Sequence, residues 1–279
     1  MTMLNNSPVR RNPTVAVTAA GVVLLLASLA ALWPSMLAPY APDDIDLVRA
    51  LAPPGPEHWL GTDQLGRDVL SRVVHGTATT LLAGLGSIAG AVTLGSSLGI
   101  FAATAHLRVA GAIMRATDVL LAFPGLLLAL LVVTAIGPGA INSAVAIGSA
   151  AAPGFVRLAR SRALVVGRSG YVQAAVALGR SRGEIYLCHL VPNTLPPVLA
   201  LATVNVGSAI IAGSSLGFLG LGPEPPSPEW GTMLAEGRDF LGAAPAMAVA
   251  PGVAVTLVVL SLTVVGGHLR YRFETGGRT

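Results

Sequence analysis

The chain has 279 residues, 53% of them hydrophobic and 11% charged, with a mean hydropathy of +0.72. That balance excludes an ordinary soluble domain and points to a polytopic membrane protein. All 17 basic residues are arginine, so the chain cannot build a P-loop, a Schiff base or a Ser-Lys dyad of its own.

Crossing the hydrocarbon core takes about 20 apolar residues, and six stretches qualify: 14–33, 77–105, 112–136, 141–158, 198–221 and 246–266. The expected fold is therefore all-α. With the N-terminus inside, thirteen of the seventeen arginines fall on the cytoplasmic side: Arg10, Arg11, Arg108, Arg115, Arg157, Arg160, Arg162, Arg168, Arg180, Arg182, Arg270, Arg272 and Arg278. Ten of the thirteen acids fall outside. Six spans with both termini cytoplasmic is the arrangement that separates the charges this well. The same pattern accounts for the net charge of +4 and the pI near 10.0 without a nucleic-acid surface, since no basic helix or aromatic platform accompanies it.

Residues 1–13 read as a cytoplasmic tail and 14–33 as the first span, expected to stay uncleaved because its apolar run exceeds that of a secretory signal. The external segment 34–76 opens with six prolines, Pro34, Pro39, Pro42, Pro53, Pro54 and Pro56. It then changes to an amphipathic stretch in which Thr62 is expected to cap a helix carrying Leu65, Val69, Leu70 and Val73 on one face, with Trp59 as an interfacial anchor. Residues 77–267 form the expected core.

Glycines four apart (Gly86 and Gly90, Gly95 and Gly99, Gly213 and Gly217) predict close helix contacts in lipid. Pro124, Pro153 and Pro251 predict kinks. Asp118 lies in the third span, three residues after Arg115; the expectation is a local ion pair near the cytoplasmic end, and an intramembrane polar site is the functional alternative.

The largest cytoplasmic segment, 157–197, carries a polar, arginine-flanked island. Residues 170–178 are helix-compatible and Gly179 offers a left-handed stop. Residues 181–190 predict a second short helix, ended by Pro192. Ala174 and Ala175 would keep the knob's surface flat for an approaching protein. Beyond the fifth span, residues 223–238 repeat the design of the first outer segment: prolines, then Glu229 and Trp230, then a short helix with Glu236 and Arg238. Two stiff acidic elements would make a lip for a partner at the outer mouth. Residues 268–279 read as a cytoplasmic tail. Cys188 is alone and the five histidines are scattered, so neither a disulfide nor a metal site is expected. No G-x-S-x-G elbow nominates a nucleophile, and no catalytic residue is assigned.

Gln173-Ala174-Ala175, Gly179, His189, Val191 and Pro192 resemble the E-A-A-x-x-x-G-x₉-I-x-L-P coupling loop of ATP-binding-cassette importer permeases. Gln173 replaces the glutamate and His189 the isoleucine. Residues 59–68, 118–124, 217–222 and 230–238 are similar to the C-type permeases of the dipeptide, oligopeptide and nickel importers. The resemblance runs from about residue 14 to residue 268. It implies a MetI-like permease of six transmembrane helices in a bacterial cytoplasmic membrane, itself non-catalytic and without a cofactor. ATP and Mg would be bound by two partner ATPases docking at Tyr171, Gln173, Ala174, Ala175, Gly179, Glu184, His189 and Pro192. It implies a B-type permease as heterodimer partner. An extracytoplasmic binding protein would meet Asp63, Gly66, Arg67, Asp68, Glu229, Trp230, Glu236 and Arg238. Peptides are the expected cargo and nickel chelates or another small solute the alternative. An ion-coupled secondary transporter would need an intramembrane ion site and inverted repeats, for which the sequence offers only Asp118.

Overall fold

The computed structural model describes residues 13–275, so Arg10, Arg11 and Arg278, on which the orientation argument draws, lie outside the described residues. Among those described, the long elements are all helical, as a chain that satisfies its backbone groups inside lipid requires. Helix α1 (Pro13–Leu32) leads into a long connecting segment with two single 3₁₀ turns, and then into α2 (Val69–Thr104), α3 (Leu107–Ala122), α4 (Gly125–Ile136) and α5 (Ala140–Gly167). The short α6 (Gly170–Ala177) and α7 (Arg182–Ile185), a π turn (Tyr186–Leu190), α8 (Val191–Phe218), α9 (Trp230–Arg238) and α10 (Ala246–Thr275) complete the chain. The runs Val15–Leu32, Val69–Thr104, Arg182–Phe218 and Ala246–His268 are long and apolar enough to cross a membrane, with one more if α3 and α4 form a single broken span. The expected fourth span occupies the first part of α5, whose second part carries Arg157, Arg160 and Arg162.

Helices α2, α5 and α8 meet at the centre, with Ile100, Phe155, Ile210 and Leu216 fully buried there. α2 and α5 run parallel: Gly148 lies against Ser87, while Gly95 and Gly99 lie against Ala152, Phe155 and Val156 further along both helices. A Cβ on Gly95 would stand 2.5 Å from that of Phe155, and one on Gly99 2.5 Å from the Val156 carbonyl. Backbones this close are what glycines four apart permit. The expectation fails for Gly86 and Gly90, which touch nothing within 4 Å and line an open apolar groove of about 650 Å³ between α2 and α5. Gly213 and Gly217 serve separate contacts, the first with Ile147 and the second with Glu229.

Three other expectations are corrected. At Pro124 the expected kink is a full break: Pro124 holds Phe123 extended (φ −84°, ψ 141°), and α3 and α4 meet at 100°. The interfacial helix from Thr62 does not form. Gly66 sits at φ +76° with room for no side chain, since a Cβ would fall 1.8 Å from the Asp46 carbonyl oxygen. The segment therefore folds as a turn closed by a Thr62–Asp68 bridge, and Asp68 rather than Thr62 caps the following helix by accepting from the Ser71 N–H at 2.7 Å. Finally, Pro192 does not end a helix but begins one. The π turn before it sends the Val191 N–H to the Tyr186 carbonyl, and this wider turn accommodates a ring that would clash with an α-helical i−4 carbonyl.

Candidate functional site

Two polar regions stand at opposite ends of the bundle. At the end expected to face outward, the turn 61–68 and the start of α2 are bolted to α9. The Arg67 Nε donates to Asp63 Oδ2 at 2.6 Å, and Arg72 Nε lies 3.5 Å from the same oxygen. Both guanidiniums also reach Glu236 Oε2 on α9 at 3.5 Å. Two buried cations are thus neutralised by the buried Asp63 and the partly exposed Glu236, the pairing under which buried charges are tolerated. Arg72 further donates to the Pro42 carbonyl at 3.1 Å, and Tyr40 N–H to Ser71 Oγ at 3.1 Å, so the proline-rich segment is tied to the same knot. Asp68 meets His58 Nδ1 at 2.9 Å.

Glu229 occupies the neighbouring seam. Its side chain caps α9, accepting from the Thr232 N–H at 2.9 Å, and accepts from the Thr80 hydroxyl of α2 at 3.3 Å. Gly217 of α8 leaves room for it: a Cβ there would stand 2.2 Å from Glu229 Oε2. Glu229 is only 4% exposed, and burial pushes its carboxyl above the usual range, with backbone and hydroxyl donors acting in the opposite sense. Trp230 is fully buried beside it and donates its indole N–H to the Val73 carbonyl at 2.9 Å.

Of the residues expected at an exposed outer lip, Asp63, Arg67, Asp68, Glu229 and Trp230 are therefore buried within this chain, because each finds its partner here. Gly66 shapes the turn, Glu236 is partly exposed, and Arg238 is open to solvent with a contact to Asp239 and a guanidinium 5.7 Å from the Phe218 ring centre. Arg72, Thr80 and His58 complete the site without having been singled out. The Asp63–Arg67 spacing of four was the available signal, whereas nothing local marks Thr80 as a partner of a residue 149 positions away.

At the other end, α6 and α7 form the expected knob. The Gly179 N–H donates to the Val176 carbonyl at 3.0 Å and the Arg180 N–H to the Ala175 carbonyl at 3.1 Å, with Gly179 at φ +76°. That paired closure is a Schellman stop. Ser181 caps α7 by accepting from the Glu184 N–H at 3.2 Å, and Glu184 pairs with Arg180. The rings of Tyr171 and His189 approach to 6.0 Å between centres and link α6 to the π turn. Ala174 is exposed, but Ala175 and Val172 face inward. The flat outer surface expected of both alanines thus belongs to Ala174 alone, since residues one apart on a helix point different ways. Gln173 donates its side-chain amide to the Arg168 carbonyl at 3.2 Å, a bond an ionised glutamate could not make. Val176, Leu178 and Leu187 remain open at 59%, 84% and 67% exposure. Pro192 is exposed at the head of α8.

Asp118 pairs not with Arg115 but with Arg157, across from α3 to α5 at 2.6 Å, with both side chains more than half exposed. The bend at Pro124 orients α3 so that the opposite helix, not the preceding turn, supplies the cation.

The chain matches the family described as "Binding-protein-dependent transport system inner membrane component" over residues 95–275. It is 39% identical over 268 residues to a probable D,D-dipeptide transport system permease protein of Escherichia coli K12, covering 96% of this chain and 88% of that protein. It is 40% identical over 217 residues to a dipeptide transport system permease protein of Alkalihalophilus pseudofirmus, covering 78% and 71%. It is also 39% identical over 253 residues to a glutathione transport system permease protein of Pectobacterium atrosepticum, covering 90% and 84%. Among solved structures it resembles a chain of the inward-facing MetNI methionine ABC transporter, with a TM-score of 0.58 at 17% identity over 72% of this chain and 96% of that one. The chain belongs to the binding-protein-dependent transport permease family, and its fold is that of an importer's membrane subunit.

Proposed function

We propose that this member of the binding-protein-dependent permease family is one half of the membrane path of an ATP-driven importer of short peptides. Its relatives are named for dipeptide, D,D-dipeptide and glutathione transport. In this reading six spans place both termini in the cytoplasm, a B-type permease completes the path, and an extracytoplasmic binding protein delivers cargo at the outer face. The open Gly86 and Gly90 groove suits a helix of the partner permease, because small residues let a second backbone approach.

The observation that carries the proposal is the knob. In a segment with three arginines on its flanks, Val176, Leu178 and Leu187 stand out of the bundle, where apolar exposure marks a protein partner. The chain holds no lysine and so lacks the P-loop that would let it bind ATP in the ordinary way. Two ATPase subunits docking on this knob and its partner's equivalent would supply the motion. The contact free energy must differ between the inward and outward states for work to be transmitted.

The test is coupled transport by the co-expressed complex. Ala174→Arg and Leu178→Asp should leave membrane insertion and permease pairing intact while abolishing both dipeptide uptake and substrate-stimulated ATP hydrolysis. Full retention of coupled uptake by either variant removes the knob from the mechanism. In a Cys188→Ala background, external thiol labelling should reach cysteines placed at Asp44 and Glu224 and miss one at Arg168; labelling at Arg168 inverts the topology.

A further inference from the structure

A second groove, of about 440 Å³, opens at the cytoplasmic end of the bundle between α5, α8 and α10. Leu158, Pro196, Pro197, Ala200 and Leu201 line it, together with Arg162 and Arg270. No carboxylate lines it. Arg162 makes no ion pair or hydrogen bond with the described residues.

The placement of the two arginines is the informative part. The expected fourth span ends at Leu158 and the apolar run of α10 at His268, so Arg162 lies four residues and Arg270 two residues beyond those edges, each within about one helical turn, or about 6 Å. Below them, Ala200 and Leu201 belong to the apolar part of α8. A ligand filling this groove must present an anion at the headgroup level and a hydrocarbon chain beneath it. A soluble partner meets the second requirement poorly, whereas a basic pocket between helices on the cytoplasmic side is the usual seat of an acidic lipid headgroup.

We infer that Arg162 and Arg270 hold the phosphate of an anionic glycerophospholipid whose acyl chain lies along the groove between α5, α8 and α10. The site depends on the cytoplasmic placement of this end of the bundle but not on the importer's cargo or its ATPases. Bound lipid would wedge the head of α8 against α5, next to the knob.

Binding is read by native mass spectrometry of the full-length chain with its co-purifying subunits, delipidated and titrated with phosphatidylglycerol or phosphatidylcholine. The wild type should retain phosphatidylglycerol preferentially, and millimolar inorganic phosphate should not displace it. Each of Arg162→Ala and Arg270→Ala should weaken that retention about fivefold, corresponding to about 1 kcal/mol per basic residue near an acidic surface. Arg115→Ala, a basic residue outside the groove, should change nothing. Equal retention of the two lipids by the wild type, an unchanged preference in the double variant, or an equal loss in Arg115→Ala overturns the proposal. Should the double variant fail to assemble, a photoactivatable phosphatidylglycerol decides on the wild type alone. It should label peptides containing Leu158, Arg162 and residues 196–201, and labelling confined to other segments rejects the site.

Discussion

The knot around Asp63 and the knob around Gly179 are both polar islands in an apolar chain, yet they handle their charges in opposite ways. Asp63, Arg67, Arg72 and Glu236 close on one another across two segments far apart in sequence and leave little for an outside partner. The knob is held by local bonds at Gly179 and Ser181 and keeps its larger apolar side chains exposed. Buried pairing fixes a shape; exposed apolar surface on a locally folded element invites a second protein. The knot is thus completed within this chain, while the knob leaves apolar surface open.

The largest effect should come from opening the knot. Arg67→Ala removes the 2.6 Å partner of Asp63, leaves it only Arg72 at 3.5 Å, and should cost up to about 3–5 kcal/mol, the usual penalty for breaking a buried pair. Thermal denaturation of the purified complex in detergent should show it, and a midpoint within a degree of wild type would refute the contrast. Next comes Gly179→Val, which forces a β-branched residue to positive φ at a cost of about 1–3 kcal/mol. Because no neighbour lies within 4 Å of that position, the strain stays in the knob's bend without a clash in the core, so the midpoint should fall by less than in Arg67→Ala while coupled uptake fails.

A smaller effect concerns pH. Glu229 is buried with its carboxyl raised above its ordinary value of 4.5, so the folded state holds its proton more tightly than the unfolded chain. Stability from this group is fully present below the unfolded value and is lost as pH rises through the folded one. Glu229→Gln should therefore flatten the decline of stability as pH rises from about 4.5, and an unchanged slope would show that the carboxyl is not the titrating group. The smallest effect belongs to Arg180→Ala. Its exposed pair with Glu184 joins the loop before α7 to that helix and is worth about 0.2–1 kcal/mol, and a loss well above about 1 kcal/mol would mean the knob is held as the knot is.

Much of this was readable from composition and spacing. The spans announce themselves by length, and the Gly179 stop follows from one residue type that tolerates a left-handed bend at no steric cost. What escaped was non-local. Whether Thr62 or Asp68 starts a helix depended on Gly66 being pinned against the Asp46 backbone. That Glu229 is buried depended on space left by Gly217 in α8 and a hydroxyl donated by Thr80 in α2. Periodicity in one segment says nothing about either. The inward turn of Ala175 was the exception: an alanine is equally at home on a docking surface and in a core, so its residue type carried no direction.

The π turn that lets Pro192 open α8 instead of closing α7 has a mechanical consequence. It joins the second arm of the knob to α8 as one helical run, Arg182–Phe218, of 37 residues, which at 1.5 Å per residue is a rod of about 55 Å. The rod's far end carries Gly217, which cradles Glu229. Pivoting such a lever by about 5° displaces its tip by about 5 Å, close to one helical turn. A small rotation imposed at the knob would arrive at the opposite end of the bundle as a step large enough to lift that carboxylate out of its seat.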